Sequence, residues 1–166
     1  MRMREELHDE RIVPNWSPVY EELGKTWMRL SEFSKAAEVF RASINLKPTT
    51  EGFRQLSAAY YKGGDRAQAA IVLFEAVATD TSQSTVGGEL SALYEEIDPA
   101  GCALERLPNG GRSLNLNCPL VRGHACAAFE DVVARHRFLL RPRAAAEVTA
   151  YAVNALGCAP AGFQPR

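Results

Sequence analysis

A pattern of small and large apolar residues, repeated between residues 17 and 80, constrains the fold more than any other feature of this chain. Within each unit the apolar residues recur at helical spacing. The first unit begins at Ser17 and the second at Thr50. The pattern comprises Leu23, Gly24, Trp27, Ala36, Phe40, Ser43 and Pro48 in the first unit, and Leu56, Ser57, Tyr60, Ala69, Leu73 and Ala76 in the second. A repeat of this kind predicts stacked helical pairs that bury their apolar faces against one another.

The pattern resembles that of the tetratricopeptide repeat, whose period is about 34 residues. The resemblance covers residues 17–80 and implies an array of helical hairpins that binds other proteins without catalysis. It places Trp27 in the core between hairpins, and it places the binding residues on the inner face of the first helix of each unit. The implied positions are Pro18, Glu21, Lys25, Met28, Arg29, Glu51, Arg54, Ala58, Tyr61 and Lys62. Of these, the candidate partner-binding residues are Glu21, Lys25, Met28, Arg29, Arg54, Tyr61 and Lys62.

One class of partner is not expected on this face. Some tetratricopeptide domains clamp the C-terminal carboxylate of a chaperone with Lys and Asn, at positions where this chain has Glu21 and Lys25. Glu21 would repel a carboxylate. The face is otherwise mixed in charge, and it offers Arg and Tyr side chains of the kind favoured at interface hot spots. A solvated helical face without a partner is the alternative interpretation.

Capping residues predict where the helices begin and end. Ser17 is a good N-cap before Pro18, and Ser31 is placed to cap a second helix that should end by Leu46. The corresponding signals of the second unit are Gly63 and Gly64 at the end of one helix, with Asp65 and Gln68 at the start of the next. A fifth helix is expected to cap the array, because Leu90, Leu93, Tyr94 and Ile97 share one face.

The use of charged residues changes near Asp98, where we place a boundary. Residues 1–98 carry 11 basic and 16 acidic side chains, whereas residues 99–166 carry eight basic and four acidic, and all eight are Arg. We therefore expect an N-terminal arm over residues 1–16, repeats with a capping helix over 17–98, and a cysteine-containing helical region over 99–166.

The last region should consist of a loop-rich segment followed by a helical hairpin. Several Gly, Pro and Asn residues occupy 98–118, and Asn109-Gly110-Gly111 is interpreted as a turn. Pro119 can open a helix that runs to about residue 138. The chain then breaks at Pro142, and a final helix spans about residues 143–156.

All four cysteines lie in this last region, which favours two disulfides and an oxidising compartment. If the last two helices are antiparallel about a turn near residue 140, Cys126 faces residue 155. Cys158 then lies only three residues further along, so a Cys126–Cys158 bond is within reach. That pairing leaves Cys102 to bond Cys118. Free buried thiols remain an alternative.

A metal site and catalytic histidines are both conceivable, but simpler interpretations fit better. Cys102, Cys118, His124 and Cys126 could ligate zinc, yet successive cysteines are widely separated along the chain, so the close pairs typical of zinc sites are missing. We therefore expect no metal. His124 and His136 are expected to be surface or structural residues, because no nucleophile or acid is placed to work with them.

A group of basic residues, Arg135, Arg137, Arg141 and Arg143, lies at one end of the expected last hairpin. Its simplest role is to complement a helix dipole, and an anion site is the alternative. Nucleic acid is not expected as a partner, because the chain has a net charge of −1. The sequence has no phosphate-binding loop and no apolar run of the roughly 20 residues that a bilayer crossing needs.

These observations predict an all-α protein: a tetratricopeptide-like array of helical hairpins with a capping helix and a C-terminal disulfide-linked helical hairpin. The expected function is a non-catalytic protein–protein interaction or assembly module without a cofactor. Its partner would be a protein or peptide on the inner face, and self-association is left open. The cysteines favour a periplasmic or extracellular location as part of an exported protein. Two alternatives are an accessory domain of a larger membrane enzyme, such as a glycosyltransferase, and a self-assembling structural subunit.

Overall fold

The computed structural model describes residues 16–79, 86–136, 154, 157 and 158, and it is mostly helical. Within these residues there are six helices and one two-stranded sheet. The helices are α1 (Ser17–Arg29), α2 (Phe33–Leu46), α3 (Thr50–Lys62), α4 (Arg66–Thr79), α5 (Gly87–Ile97) and α6 (Pro119–His136), and the strands are β1 (Leu104–Arg106) and β2 (Arg112–Leu114). The predicted helix over 143–156 lies outside the described residues.

Most of the predicted helix boundaries are confirmed, but two predicted caps are wrong. Ser17 is not an N-cap, because it is the first residue of α1; its hydroxyl donates to the carbonyl of Ser43 at 3.2 Å, and Trp16 holds the N-cap position. Asp65 caps α4, because its Oδ1 accepts a hydrogen bond from the backbone N–H of Gln68 at 3.0 Å. Ser31 does not cap α2. It adopts a left-handed conformation with φ 58° in the turn after α1, so the N-cap position falls to Glu32, which makes no side-chain cap bond.

Each of the first four helices packs against the next, and α4 also packs against α5 and α6. The repeated pattern supplies most of this core. Its buried members are Gly24, Ala36, Phe40 and Ser43 in the first unit, and Leu56, Ser57, Ala69, Leu73 and Ala76 in the second. The predicted stripe of α5 is likewise buried at Leu90, Leu93 and Tyr94, with Ile97 packed at its margin.

The close approach of α1 and α2 depends on a glycine. An added Cβ at Gly24 would overlap the ring of Phe40, which is itself buried. Ser57 holds the matching position in the second unit and is also buried, and its hydroxyl donates to the carbonyl of Ala69 at 2.9 Å. Small side chains at these two positions therefore set the distance between the paired helices.

The prediction that Trp27 is a core residue is only half right. Its ring is half-buried, it packs against the core from one side, and the ammonium of Lys35 lies 4.8 Å from the ring centroid. Leu23, another member of the pattern, is 41% exposed. Leu23 lies on α1, the first described helix, so no described helix precedes it to cover its outer side. Tyr60, which holds the position of Trp27 in the second unit, is half-buried as well.

The expectation of an all-α fold misses a β-hairpin within the loop-rich segment. Strands β1 and β2 pair antiparallel with Leu104 opposite Leu114. The predicted turn at Asn109-Gly110-Gly111 is present, and Gly110 supplies the positive φ of 86°. Strands of three residues are too short to show an alternating apolar pattern, so only the turn is visible in the sequence.

Both predicted disulfides are confirmed. Cys102 bonds Cys118, with 5.3 Å between their Cα atoms, and Cys126 bonds Cys158, with 5.6 Å. The first bond joins the start of the hairpin segment to the residue before α6. The second ties α6 to the C-terminal part of the chain. One buried apolar cluster runs from α2 through α4 to α6 and therefore crosses residue 98.

Candidate binding surface

The candidate residues of α1 form a charged surface beside the core. The Nζ of Lys25 lies 3.1 Å from a carboxylate oxygen of Glu22 and 3.3 Å from one of Glu21. The hydrogen bonds that Lys25 donates to Glu22 and, with a smaller effect, to Glu21 raise the pKa of Lys25. Arg29 donates to the hydroxyl of Thr26 at 3.0 Å. Met28 differs from its charged neighbours, because it is half-buried against the core.

The candidate residues of α3 reach across to α5. Arg54 Nε lies 2.6 Å from a carboxylate oxygen of Glu89. The hydroxyl of Tyr61 donates to Glu96 at 2.8 Å, and Arg66 Nε lies 2.7 Å from the same carboxylate. The Arg66 guanidinium also lies 5.0 Å from the centroid of the Tyr61 ring.

The hydrogen bonds to Glu96 change its acidity. Arg66 makes the larger contribution and Tyr61 the smaller, and together they hold the pKa of Glu96 below its usual value. Glu96 therefore keeps its negative charge beside Tyr61. Lys62, the neighbour of Tyr61, is exposed at the end of α3.

Three of these contacts join the first helices of successive units, or the first helix of the second unit and α5, at offsets close to one repeat. Gln55 Nε2 donates to Glu21 at 3.2 Å, which links α3 to α1, while Arg54–Glu89 and Tyr61–Glu96 link α3 to α5. The partners lie 34, 35 and 35 residues apart. We call these three pairs the polar ladder. They bring six of the polar side chains of α1, α3 and α5 onto one continuous surface.

The second helices of the two units are linked in the same way. Arg41 on α2 and Glu75 on α4 are 34 residues apart, and their side chains form an ion pair of 2.6 Å. Glu75 is 1% exposed, so this pair lies inside the protein. Sequence reasoning missed it, together with Gln55, Glu89 and Glu96. For the two ion pairs the signal was present, because Arg41 and Glu75, and likewise Arg54 and Glu89, are opposite charges about one repeat apart.

A separate groove lies between α2 and the end of α3, with a volume of about 660 Å³. It is lined by Phe33, Ser34, Ala37, Glu38, Arg41, Ala59, Tyr60, Gly63 and Asp65. None of the candidate partner-binding residues lines it. Of its charged groups, Arg41 is paired with Glu75. The groove is therefore a second surface, distinct from the polar ladder.

His124 has a structural role, as predicted. Its Nδ1 lies 2.6 Å from the hydroxyl of Tyr94, and the two rings stack with 5.7 Å between centroids. Burial raises the pKa of Tyr94, so the phenol stays protonated and its O–H can donate a hydrogen bond to Nδ1 of His124. Burial also lowers the pKa of His124, which favours the neutral ring that accepts this bond. The pair joins α5 to α6.

The side chains considered for zinc do not form one site. The sulfurs of Cys102, Cys118 and Cys126 are all in disulfides, and His124 is engaged by Tyr94. The structure does bring a carboxylate oxygen of Asp98 to within 4.8 Å of the sulfurs of Cys102 and Cys118. Those sulfurs are bonded to each other, so they offer no thiolate.

The basic group of Arg135, Arg137, Arg141 and Arg143 lies outside the residues whose side chains are described. Within the described ranges, no helix has both the length and the apolar character for a membrane crossing. Two disulfides indicate an oxidising environment, as found outside the cytoplasm.

Comparison with protein-family models finds no match to this chain, and a search of curated proteins finds no significant similarity.

Proposed function

We propose that this chain is a non-catalytic protein-binding module of tetratricopeptide type, which takes a protein or peptide on the surface that carries the polar ladder. The offset of the ladder supports this interpretation most strongly. In an array with a period of about 34 residues, equivalent positions of successive units lie side by side. The pairs Glu21–Gln55 and Arg41–Glu75 have this offset, one on the first helices and one on the second.

The α5 helix extends the proposed surface beyond the two full units. Glu89 and Glu96 follow Arg54 and Tyr61 by 35 residues, so α5 stands where the first helix of a third unit would stand. A lone helix in that place is how repeat arrays commonly cover their last hydrophobic face. The surface then spans three helices, which is enough to hold an extended segment of a partner.

The charges of this surface indicate the chemistry of the partner. Positive charge comes from Lys25 and Arg54, and each lies beside a carboxylate, Lys25 beside Glu21 and Arg54 beside Glu89. A ligand with charges of both signs fits this alternation better than a purely acidic or basic one. The disulfides support a periplasmic or extracellular protein as the setting of this interaction.

The test replaces two members of the ladder together, Arg54→Glu and Tyr61→Ala. The double variant is expected to lose the proteins recovered by wild type from an extracytoplasmic extract of the source organism, with the same helix content as wild type by circular dichroism. A matched control is Arg112→Glu, since Arg112 is an exposed arginine paired with Glu95 at 2.7 Å outside the ladder. Recovery of the same proteins by wild type and by the double variant would rule out this surface.

A further inference from the structure

The outer side of α1 carries an exposed apolar stripe. It starts at Trp16, the residue before the helix, and continues along one side of α1. The stripe consists of Trp16 (54% exposed), Val19 (53%), Tyr20 (36%), Leu23 (41%) and Leu30 (62%). These residues recur at helical spacing, so they share one face of the helix. Contiguous exposed apolar surface of this kind marks an interaction site in a soluble protein.

The structure contains an internal reference for this face. Tyr20 and Leu23 correspond, one repeat later, to Phe53 and Leu56 of α3, which are 1% and 0% exposed. The α2 helix packs against α3, and an added Cβ at Gly52 would meet Ile44 Cγ1 at 3.1 Å. The corresponding face of α3 is therefore covered by a helix. On α1 the same face has no described helix against it.

We propose that a second copy of this chain covers the stripe, with the α1 helices of two copies packed against each other across a twofold axis. A twofold interface places the same surface of both copies in contact, so that surface must tolerate its own charge. The stripe meets this condition because its side chains carry no charge. The charged residues of α1 lie on its other sides, including Glu21, Lys25 and Arg29.

Other sources of cover fit less well. Residues 1–15 carry seven charged side chains, a poor match for an uncharged stripe. Head-to-tail stacking would place the stripe against a free face of a second helix of a unit, that is, of α2 or α4. Among the described residues, α3 already packs against α2 and α6 already packs against α4. A symmetric pair of α1 helices needs neither the N-terminal segment nor a free face on a second helix.

The size of the stripe sets the expected affinity. A helix of 13 residues is about 20 Å long, and one such face is smaller than the about 800 Å² that a standard interface buries on each partner. We therefore expect a dimer that dissociates in the micromolar range. This association is independent of the polar ladder, which lies on a different side of α1.

The test is sedimentation equilibrium of the full chain over a concentration series. Wild type should show a reversible monomer–dimer equilibrium, and Val19→Lys and Leu23→Lys should each weaken it by about tenfold or more. The matched control is Leu120→Lys on α6, since Leu120 is 38% exposed and lies outside the stripe. Circular dichroism should show the same helix content in all four proteins, because the replaced side chains are exposed.

Three results would overturn the proposal. The first is a wild-type chain that stays monomeric at the highest concentration. The second is a dimer that both stripe variants leave intact. The third is a monomeric wild type that associates only after residues 2–13 are deleted, because the N-terminal segment would then be the cover. Loss of partner recovery by the ladder variants is measured separately, so failure of one proposal does not decide the other.

Discussion

The repeat region with its capping helix, residues 17–79 and 86–97, and the cross-linked region, residues 98–136 with Cys158, are ordered by different means. The repeat region contains no cysteine and is held by helices that pack against their neighbours, with buried ion pairing at Arg41–Glu75. The cross-linked region contains both disulfides and a hairpin of short strands. Packing orders the first region, and covalent bonds supplement a smaller apolar core in the second.

The difference does not separate the regions physically. Phe74 on α4 packs with Tyr94 on α5, and Tyr94 in turn contacts His124 on α6. The buried cluster continues through these helices. The cross-linked region therefore rests on the last helix of the repeats, and the question is how far the loss of its disulfides would spread into them. The boundary near residue 98 stays a prediction.

The largest expected effect comes from removing the disulfides. In the chain-entropy model, closing loops of this length stabilises the fold by about 3 kcal/mol for Cys102–Cys118 and about 3–4 kcal/mol for Cys126–Cys158. A reductant should therefore destabilise β1, β2 and α6 first, while α1 to α3 stay folded. Hydrogen exchange with and without reductant measures this region by region.

The control for the reductant is a double variant, Cys102→Ala with Cys118→Ala, which removes one bond without added thiol. Alanine is used because Cys118 is 1% exposed, and a serine hydroxyl there would be buried. Uniform loss of protection along the chain would show one cooperative unit and would remove the distinction between the regions. If the reductant leaves hydrogen exchange unchanged and the native protein has four reactive thiols, the two disulfides do not form in the protein.

Sequence reasoning succeeded where the fold follows a period. Apolar residues such as Leu56 on α3, and Ala69 and Leu73 on α4, recur at helical spacing within their own segments. This spacing locates each helix without knowledge of its tertiary contacts, because an amphipathic helix buries every third or fourth residue. It failed on β1 and β2, whose strands are too short for a period. Trp27 was misjudged for a different reason: both Trp27 and its counterpart Tyr60 are only half-buried, so this position lies at the margin of the core in both units.

The sequence predicts where the candidate surface lies, but it does not predict which residues the side chains of that surface contact. The resemblance named Arg54 and Tyr61, yet their partners Glu89 and Glu96 belong to a helix that was interpreted only as a cap. Pairing of this kind depends on side-chain reach between helices that are distant in sequence. An offset of one repeat between opposite charges is a usable signal once a repeat has been found.

Two glycines test the role of close packing in each region. An added Cβ at Gly24 would overlap the Phe40 ring, whereas at Gly123 on α6 it would meet no atom within 4 Å. Alanine in a helix is favoured over glycine by about 0.5–1 kcal/mol, and overpacking a core costs about 1–3 kcal/mol. We expect Gly123→Ala to stabilise the protein and Gly24→Ala to destabilise it, with a difference of about 2 kcal/mol in urea unfolding. Equal effects would mean that α1 and α2 can move apart without cost.

The smallest expected effect is a dependence of stability on pH at the contact between the two regions. Burial lowers the pKa of His124 in the folded protein below its usual value of 6.5, so the unfolded chain takes up the proton first as the pH falls. The contribution of His124 is therefore complete above about pH 6.5, and it declines below that value until the folded-state pKa is reached. A single group limits the slope to about 1.4 kcal/mol per pH unit. The lowered pKa of Glu96 acts in the same direction, but only below its usual value of 4.5.

Urea unfolding at about pH 7.5 and pH 5.5 separates these two groups, since only His124 has its window between those values. The matched variant is His124→Gln, because the side-chain carbonyl of glutamine can accept a hydrogen bond from the Tyr94 hydroxyl and does not titrate in this pH range. Wild type should lose more stability than the variant between the two pH values. His8 and His136 are present in both proteins, so the difference between them reports on His124 alone. If both proteins lose the same amount, the Tyr94–His124 contact does not couple protonation to folding, and the apolar cluster alone joins the cross-linked region to the repeats.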